Sequence, residues 1–218
     1  MSLTNQTPVT NIALQYFLQY CHIKTYPAKS SIIRPGDTGD RLYYIVDGSV
    51  SVSAEDDDGR ELILAYLNKH DFIGEIGVFK GEEIRKVTIK TRTKCQLAEI
   101  GYERFKQMLH RELSEHAVEL LFLLGEQISS RLLTTSRNYQ NLAFLDVKER
   151  ITETLLDLCK QPDAITHPDG MQLRITRQEI GRIVGCSREM AGRVLKELEE
   201  QDNKITARGK TIVVFGTR

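Results

Sequence analysis

The chain has 218 residues, with 30 Lys or Arg against 30 Asp or Glu and a formal net charge of zero. That length holds two small domains with real cores. No signal peptide and no apolar run long enough to span a bilayer is apparent, so a cytoplasmic protein without a membrane partner is expected. The zero net charge hides an asymmetry: residues 171–218 carry 10 Lys or Arg against 6 Asp or Glu, and the rest carries the opposite excess. A modestly basic C-terminal part fits a phosphate-backbone partner. Four widely spaced cysteines, Cys21, Cys95, Cys159 and Cys186, sit in apolar contexts without metal-ligand spacing, so they read as buried reduced thiols.

In chain order, residues 10–21 place Ile12, Leu14, Phe17, Leu18 and Cys21 at the spacing of a short amphipathic helix. From about His22 to Ile100 the texture is β. Short runs at 31–33, 42–46, 49–53, 62–67, 87–91 and 96–100 alternate with turns at Pro35-Gly36, Asp47-Gly48, Asp58-Gly59 and Gly81. Many short strands at regular spacing predict an antiparallel sandwich or jelly roll, able to enclose one small ligand.

Helical texture returns at Tyr102 and lasts to about Tyr139. Val118, Leu121, Gly125, Ile128, Leu132 and Thr135 follow an alternating three–four spacing, the seam of a dimerising helix. The plainer reading is a helix packed on its own sheet domain. Asn141 to Asp146 marks a boundary, and a further helix runs over 147–159. Residues 160–170, with two prolines and a closing glycine, predict an exposed polar loop.

Residues 175–198 predict two short helices joined by a tight turn. Thr176 and Glu179 have capping-box spacing. Ile180, Ile183 and Val184 form the apolar face, and Gly185 follows where a positive φ ends a helix most easily. Ser187 caps the second helix, with Val194, Leu195 and Leu198 turned inward. This is a helix-turn-helix pattern, whose second helix enters the major groove of double-stranded DNA. Arg188, Glu189 and Arg193 stand on its leading side. Arginine fits the two acceptors of guanine, and glutamate accepts from the cytosine amino group. A solvated charged face is the bland alternative for any lone pair of this kind. Residues 204–216 form two β-runs around Arg208-Gly-Lys210, a hairpin wing.

Together these stretches resemble the cyclic AMP receptor protein (catabolite activator) subgroup of the CRP/FNR family over nearly the whole chain. The most specific are 72–77, 141–147, 161–170, the helix-turn-helix, and 209–218. The resemblance implies an α+β chain: a β-roll domain over 1–118 that binds a cyclic nucleotide, a dimerisation helix and hinge over 119–145, and a winged helix-turn-helix domain over 146–218. It implies a homodimeric transcription regulator, not an enzyme, that binds TGTGA-type palindromic DNA and contacts RNA polymerase. Base contacts fall to Arg188, Glu189 and Arg193. Phosphate contacts fall to Thr176, Arg177, Gln178, Ser187, Lys196 and Lys210.

For the effector, cyclic AMP, the resemblance points to Gly74, Glu75 and Arg85 in the roll and to Thr135 and Ser136 on the helix. A backbone N–H at Gly74 and the Arg85 guanidinium suit a phosphate. Glu75 suits the ribose hydroxyl, and Thr135 and Ser136 the adenine edge. An ordinary Glu75–Arg85 ion pair on a sheet rim is the alternative. RNA polymerase contacts are implied for Thr166, His167 and Gly170 in the polar loop, and for a basic patch of His22, Lys24 and Arg104.

Two departures stand out. The cyclic AMP pattern has Ser then Ala after the arginine; here Lys86 and Val87 stand there. A long cation replaces a hydroxyl, which either reaches the phosphate as a point charge or admits a larger, doubly charged ligand. A related branch shares Val87, Arg92-Thr93 and 187–193; it includes a regulator that responds to cyclic di-GMP or binds DNA without ligand. The second departure is one extra residue at 201–204, before the wing. An iron–sulfur sensor needs about four cysteine ligands near the sensor part, where only Cys21 and Cys95 lie. A haem ligand has no motif around His22, His70, His110 or His116, and no nucleophile–base constellation or phosphate loop supports catalysis. No metal, haem or iron–sulfur cofactor is expected.

Overall fold

The computed structural model describes residues 11–81 and 83–217. Thr10, at the predicted start of the first helix, and Arg218, at the end of the predicted second domain, lie outside these. The chain forms two units, one from Met1–Val52 and Ala65–Leu133, the other from Ser53–Leu64 and Thr134–Arg218.

Helix α1 (Ile12–Gln19) starts at Asn11, whose side chain accepts from the Leu14 N–H at 3.0 Å. The strands that follow are β1 (His22–Tyr26), β2 (Ser31–Ile33), β3 (Thr38–Gly39), β4 (Arg41–Asp47), β5 (Val50–Glu55), β6 (Glu61–Leu67) and β7 (Phe72–Ile73). A six-residue helix α2 (Glu75–Lys80) precedes β8 (Glu83–Ile84), β9 (Thr88–Thr91) and β10 (Cys95–Gly101). The strands form two four-stranded sheets, β1-β10-β4-β7 and β2-β9-β5-β6, and a small pair, β3-β8.

Strand β4 shows how this roll is built. Its continuous apolar run, Leu42 to Ile45, is buried on both faces. Successive side chains point to opposite faces. Leu42 and Tyr44 therefore join Phe17, Phe72, Phe105 and Leu120 in one cluster, while Tyr43 and Ile45 join Ile33, Val50, Leu67 and Ile89 in another. The second cluster draws on both sheets. The first is closed by the helices α1, α3 (Tyr102–Leu109) and α4 (Ala117–Phe144).

Every predicted β-run is a strand. In the roll, the strands β1, β3, β7 and β8 and the helix α2 were not predicted, and neither was a strand over Gly170–Arg174 further on. The single helical stretch expected over 102–139 is interrupted: α3 ends at Leu109, a 3-10 turn spans Ser114–His116, and α4 runs on to Phe144. Fully buried Leu113 fills the break. The cysteines are unpaired, but only Cys95 is buried; the other three are half-buried. Burial of the Cys21 thiol pushes its pKa up to about 12.

In the second unit, α5 (Val147–Cys159) opens on a complete capping box: Asp146 accepts from the Glu149 N–H and Glu149 accepts from the Asp146 N–H. A four-stranded sheet follows, β11-β12-β14-β13, from β11 (Ile165–His167), β12 (Gly170–Arg174), β13 (Ile205–Arg208) and β14 (Thr211–Phe215). The predicted polar loop at 160–170 thus contains an edge strand, paired with β12 from Ile165↔Gln172 to His167↔Gly170. Between β12 and β13 lie α6 (Arg177–Val184) and α7 (Arg188–Glu200). Ile180, Val184, Val194, Leu195 and Leu198 are buried, with Ile151 and Leu155 of α5.

The turn at 201–204, where the sequence suggests one extra residue, is held locally. Asn203 takes a positive φ of 50°, and Lys148 of α5 bridges Glu197 at 2.5 Å and Asp202 at 3.0 Å. This anchors the end of α7 whatever the turn does.

Asp146 carries two of the orphan hydrogen bonds at the start of α5. Asp146→Ala is expected to cost about 1 kcal/mol of stability. Urea denaturation measures it, and an unchanged midpoint would show that the cap is immaterial.

Candidate nucleotide pocket and DNA-reading helix

The candidate nucleotide site lies at the turn between β7 and α2. Gly74 adopts φ 84°, ψ 11°, a left-handed conformation that a side chain strains. A Cβ there would also lie 2.7 Å from the Arg41 carbonyl oxygen and 3.0 Å from both terminal nitrogens of Arg85. Glycine is needed for the backbone angle and for the approach of the guanidinium.

Arg85 is held from two sides. Its Nη2 donates to the Arg41 carbonyl at 2.7 Å and to the Tyr102 hydroxyl at 3.1 Å. The Tyr102 hydroxyl in turn donates to the Gly74 carbonyl at 2.6 Å. Burial raises the Tyr102 pKa, with Arg85 pulling the other way, so the phenol keeps its proton as a donor. A guanidinium has five N–H donors, and two of these bonds use Nη2 alone. Arg85 is therefore oriented beside Gly74 with donors to spare, as a phosphate clamp requires.

Glu75 is only 3% exposed. It forms no pair with Arg85. Its partner is Arg131 of α4, whose Nη1 reaches Oε1 at 2.6 Å, while the Arg131 Nη2 donates to the Phe72 carbonyl at 2.6 Å. Lys86 is exposed. Thr135 and Ser136 are exposed on α4, in the stretch that belongs to the second unit. Gly74, Glu75 and Arg85 thus come together in the first unit.

Helix α4 has two faces. Leu120 and Leu124 are buried in the roll's core. Val118, Leu121, Phe122, Gly125, Glu126 and Ser129 line a groove on the other side. Val118 is 67%, Phe122 74% and Leu132 65% exposed. One face of this helix packs on its own sheet domain, and the face read in the sequence as a dimer seam is exposed.

The two helices and the turn of the helix-turn-helix occur as the sequence predicts. Thr176 accepts from the Glu179 N–H at 3.1 Å, Gly185 closes α6 with φ 74°, and Ser187 accepts from the Met190 N–H at 3.1 Å. Arg188, Glu189 and Arg193 are all exposed, and among the described residues none takes an ion-pair partner. Glu189 and Arg193, four apart, share one side of α7. Arg177 is exposed, and its Cδ passes 3.4 Å from where a Cβ of Gly192 would sit, so its side chain crosses α7. Gln178, Lys196 and Lys210 are exposed; Lys196 makes a loose pair with Glu200 at 3.7 Å.

The residues implied for RNA polymerase are placed unevenly. Thr166 is exposed on β11 and His167 sits 3.7 Å from Asp169, while Gly170 is buried opposite Phe215. His22 is exposed. Lys24 is paired with Glu99 at 2.8 Å and Arg104 with Glu112 at 2.9 Å. The Glu99 carboxylate raises the Lys24 pKa.

Sequence reasoning missed Tyr102, Arg131 and Gln127. Gln127 lies one turn before Arg131 on α4; its Oε1 accepts from the Phe72 N–H at 2.6 Å and its Nε2 donates to the Phe72 carbonyl at 2.9 Å. One signal was available: Gln127 and Arg131 continue the apolar stripe of Leu120 and Leu124 at four–three–four spacing, where polar residues need a buried partner. Among the described residues no group of three His, Cys, Asp or Glu converges on a metal-sized site, and no helix is long and apolar enough to cross a membrane.

Comparison with known proteins accounts for both halves. Residues 23–112 match the cyclic nucleotide-binding domain, and residues 173–202 match the crp family of bacterial regulatory proteins. The cAMP-activated global transcriptional regulator CRP of Salmonella typhimurium is 53% identical over 211 residues, covering 97% of this chain and 98% of its own. The CRP-like protein Clp of Xanthomonas campestris pv. campestris is 48% identical over the full length of both. The solved structure of the c-di-GMP responsive global regulator CLP of Xanthomonas campestris superposes with a TM-score of 0.88 at 51% identity, covering 94% of this chain and 99% of that one. Relatives this similar across nearly all of the chain place the protein in the CRP/FNR family of transcription regulators, with the cyclic AMP receptor proteins.

Proposed function

We propose that the protein is a homodimer that binds a TGTGA-type palindromic DNA site when a cyclic nucleotide, cyclic AMP, occupies the pocket at Gly74, Glu75 and Arg85. The observation that carries this reading is the pairing state of the charged side chains. Arg188, Glu189 and Arg193 stand exposed on a capped helix, without an ion-pair partner among the described residues, where arginine and glutamate can read base edges. Arg85, by contrast, is already aimed at the Gly74 turn by Arg41 and Tyr102.

The ligand chemistry follows from the donors present. The Arg85 guanidinium and backbone N–H groups at the Gly74 turn hold the cyclic phosphate. Glu75 accepts from the ribose hydroxyl. Thr135 and Ser136 bond the adenine edge, one of them from the partner subunit. Arg177, Gln178, Lys196 and Lys210, with Thr176 and Ser187 at the helix starts, take phosphates of the DNA backbone. Half-sites about 34 Å apart demand a two-fold frame. The exposed apolar face of α4 supplies one. RNA polymerase is contacted through Thr166 and His167 and through His22, with Gly170 shaping the turn. Lys24 and Arg104 contribute only if they leave Glu99 and Glu112.

A second reading rests on Lys86. An exposed cation in place of a hydroxyl suits a ligand with two phosphates, and a relative of the same fold is described as c-di-GMP responsive. In that case the pocket is repurposed, or DNA binding is independent of ligand, and the DNA-reading surface is unchanged.

Arg188→Ala is expected to weaken binding to the palindrome by about 1–3 kcal/mol and to relax one base position. Fluorescence anisotropy on the site and its single-base variants decides this: an equal loss on every sequence makes Arg188 a phosphate contact instead. Leu132→Asp places a charge on the apolar face of α4. Sedimentation should show a dimer becoming a monomer, and an unaltered dimer would locate the interface elsewhere.

A further inference from the structure

We propose that Gln127 is a positioning residue for the nucleotide pocket, holding the β7 edge as a neighbouring strand would and thereby fixing the Gly74–Glu75 turn. This deepens the reading above and rests on it, since it assumes that a nucleotide binds at that turn.

The argument starts from sheet topology. Strand β7 pairs with β4, Tyr43 opposite Ile73 and Tyr44 opposite Phe72, and is the last strand of its sheet. The Ile45 N–H donates to the Asp71 carbonyl on the β4 side. In an antiparallel ladder the next residue's N–H and C=O then point the other way. Phe72 therefore offers an unpaired donor and acceptor on an open edge, although its side chain is buried. Buried backbone groups require partners.

Gln127 meets both. A neutral amide is both donor and acceptor on one planar group, which matches the pair that one strand residue presents. It takes the Phe72 N–H at 2.6 Å and gives a proton to the Phe72 carbonyl at 2.9 Å. The carbonyl is shared with Arg131, but among the described residues the N–H is satisfied by Gln127 alone. Two residues further on lies Gly74, and three on lies Glu75.

Gln127 itself touches neither Glu75 nor Arg85. It acts through the strand, one helical turn before Arg131, on the face of α4 opposite the groove lined by Val118, Leu121 and Phe122. A shift of the turn by a bound phosphate is thus transmitted to the helix by a pair of short hydrogen bonds, and a shift of the helix is felt at the turn.

The test uses the full chain and three variants. Gln127→Met keeps length and loses both bonds. Gln127→Glu keeps the acceptor, loses the donor and sets a charge against the Phe72 carbonyl. Leu124→Ala, on the same face, removes buried carbon and leaves the clamp. At a temperature where all are folded by circular dichroism, cyclic AMP and cyclic di-GMP are titrated separately by calorimetry, and backbone hydrogen exchange is followed over 71–78. The clamp predicts at least tenfold weaker nucleotide binding and faster exchange at Phe72 to Glu75 for both Gln127 variants. Leu124→Ala should bind within about twofold of the unaltered protein. Equal weakening by Leu124→Ala, or Gln127 variants that bind and exchange normally, overturns the proposal. If the unaltered protein binds neither nucleotide, the functional reading fails, and exchange at Phe72 to Glu75 still decides whether Gln127 fixes the turn.

Discussion

The structure depends on one buried carboxylate. Glu75 lies almost out of water, and a charge there is tolerated only with a partner and good geometry. Arg131 supplies that partner from α4 at 2.6 Å. The pair fixes the register between the helix and the roll, and it does so at the turn where Gly74 and Arg85 meet. Removing either partner leaves an uncompensated charge. Gln127 and Arg131 of α4 are thus tied to the stretch that holds Gly74 and Glu75.

The same helix turns its other face outward. Val118, Phe122 and Leu132 are exposed at spacing that suits a second helix. One face is thus tied to the pocket and the other is open to a partner, with Thr135 and Ser136 further along. Ligand binding can change DNA affinity only through differential affinity for two arrangements of such an element. Helix α4 carries both the tie to the Gly74–Glu75 turn and the exposed apolar face. In the second unit the reading helix is set by local chemistry instead: the Ser187 cap, the left-handed Gly185 and the Lys148 bridge to Glu197 and Asp202.

Much of this was legible in the sequence because it rests on local rules. The caps at Thr176 and Ser187, the Gly185 stop and the apolar faces of α6 and α7 are short-range signals, and they occur where expected. Most of the longer strands showed as β-rich runs between glycine turns, but β1 and β12 did not. Strands β3, β7 and β8 did not, because two residues carry no period. Helix α2 was hidden because its six residues are too few for a helical pattern. The edge strand β11 was read as loop, since its pairing with β12 depends on a hairpin that prolines and polar residues disguise. Gln127 and Arg131 were overlooked for another reason: their partners, Phe72 and Glu75, lie more than fifty residues away, and only the fold brings them together. The plainer alternative of a Glu75–Arg85 ion pair does not occur: Glu75 pairs with Arg131, and Arg85 bonds the Arg41 carbonyl and the Tyr102 hydroxyl.

The most direct measurement is the affinity for a TGTGA-type palindrome, by fluorescence anisotropy at fixed salt, without nucleotide and with saturating cyclic AMP or cyclic di-GMP. The account predicts that cyclic AMP strengthens binding at least tenfold, with Lys86 tolerated beside the phosphate. Tight binding without nucleotide and no response to cyclic AMP would contradict it, and a response to cyclic di-GMP would then show what Lys86 is for.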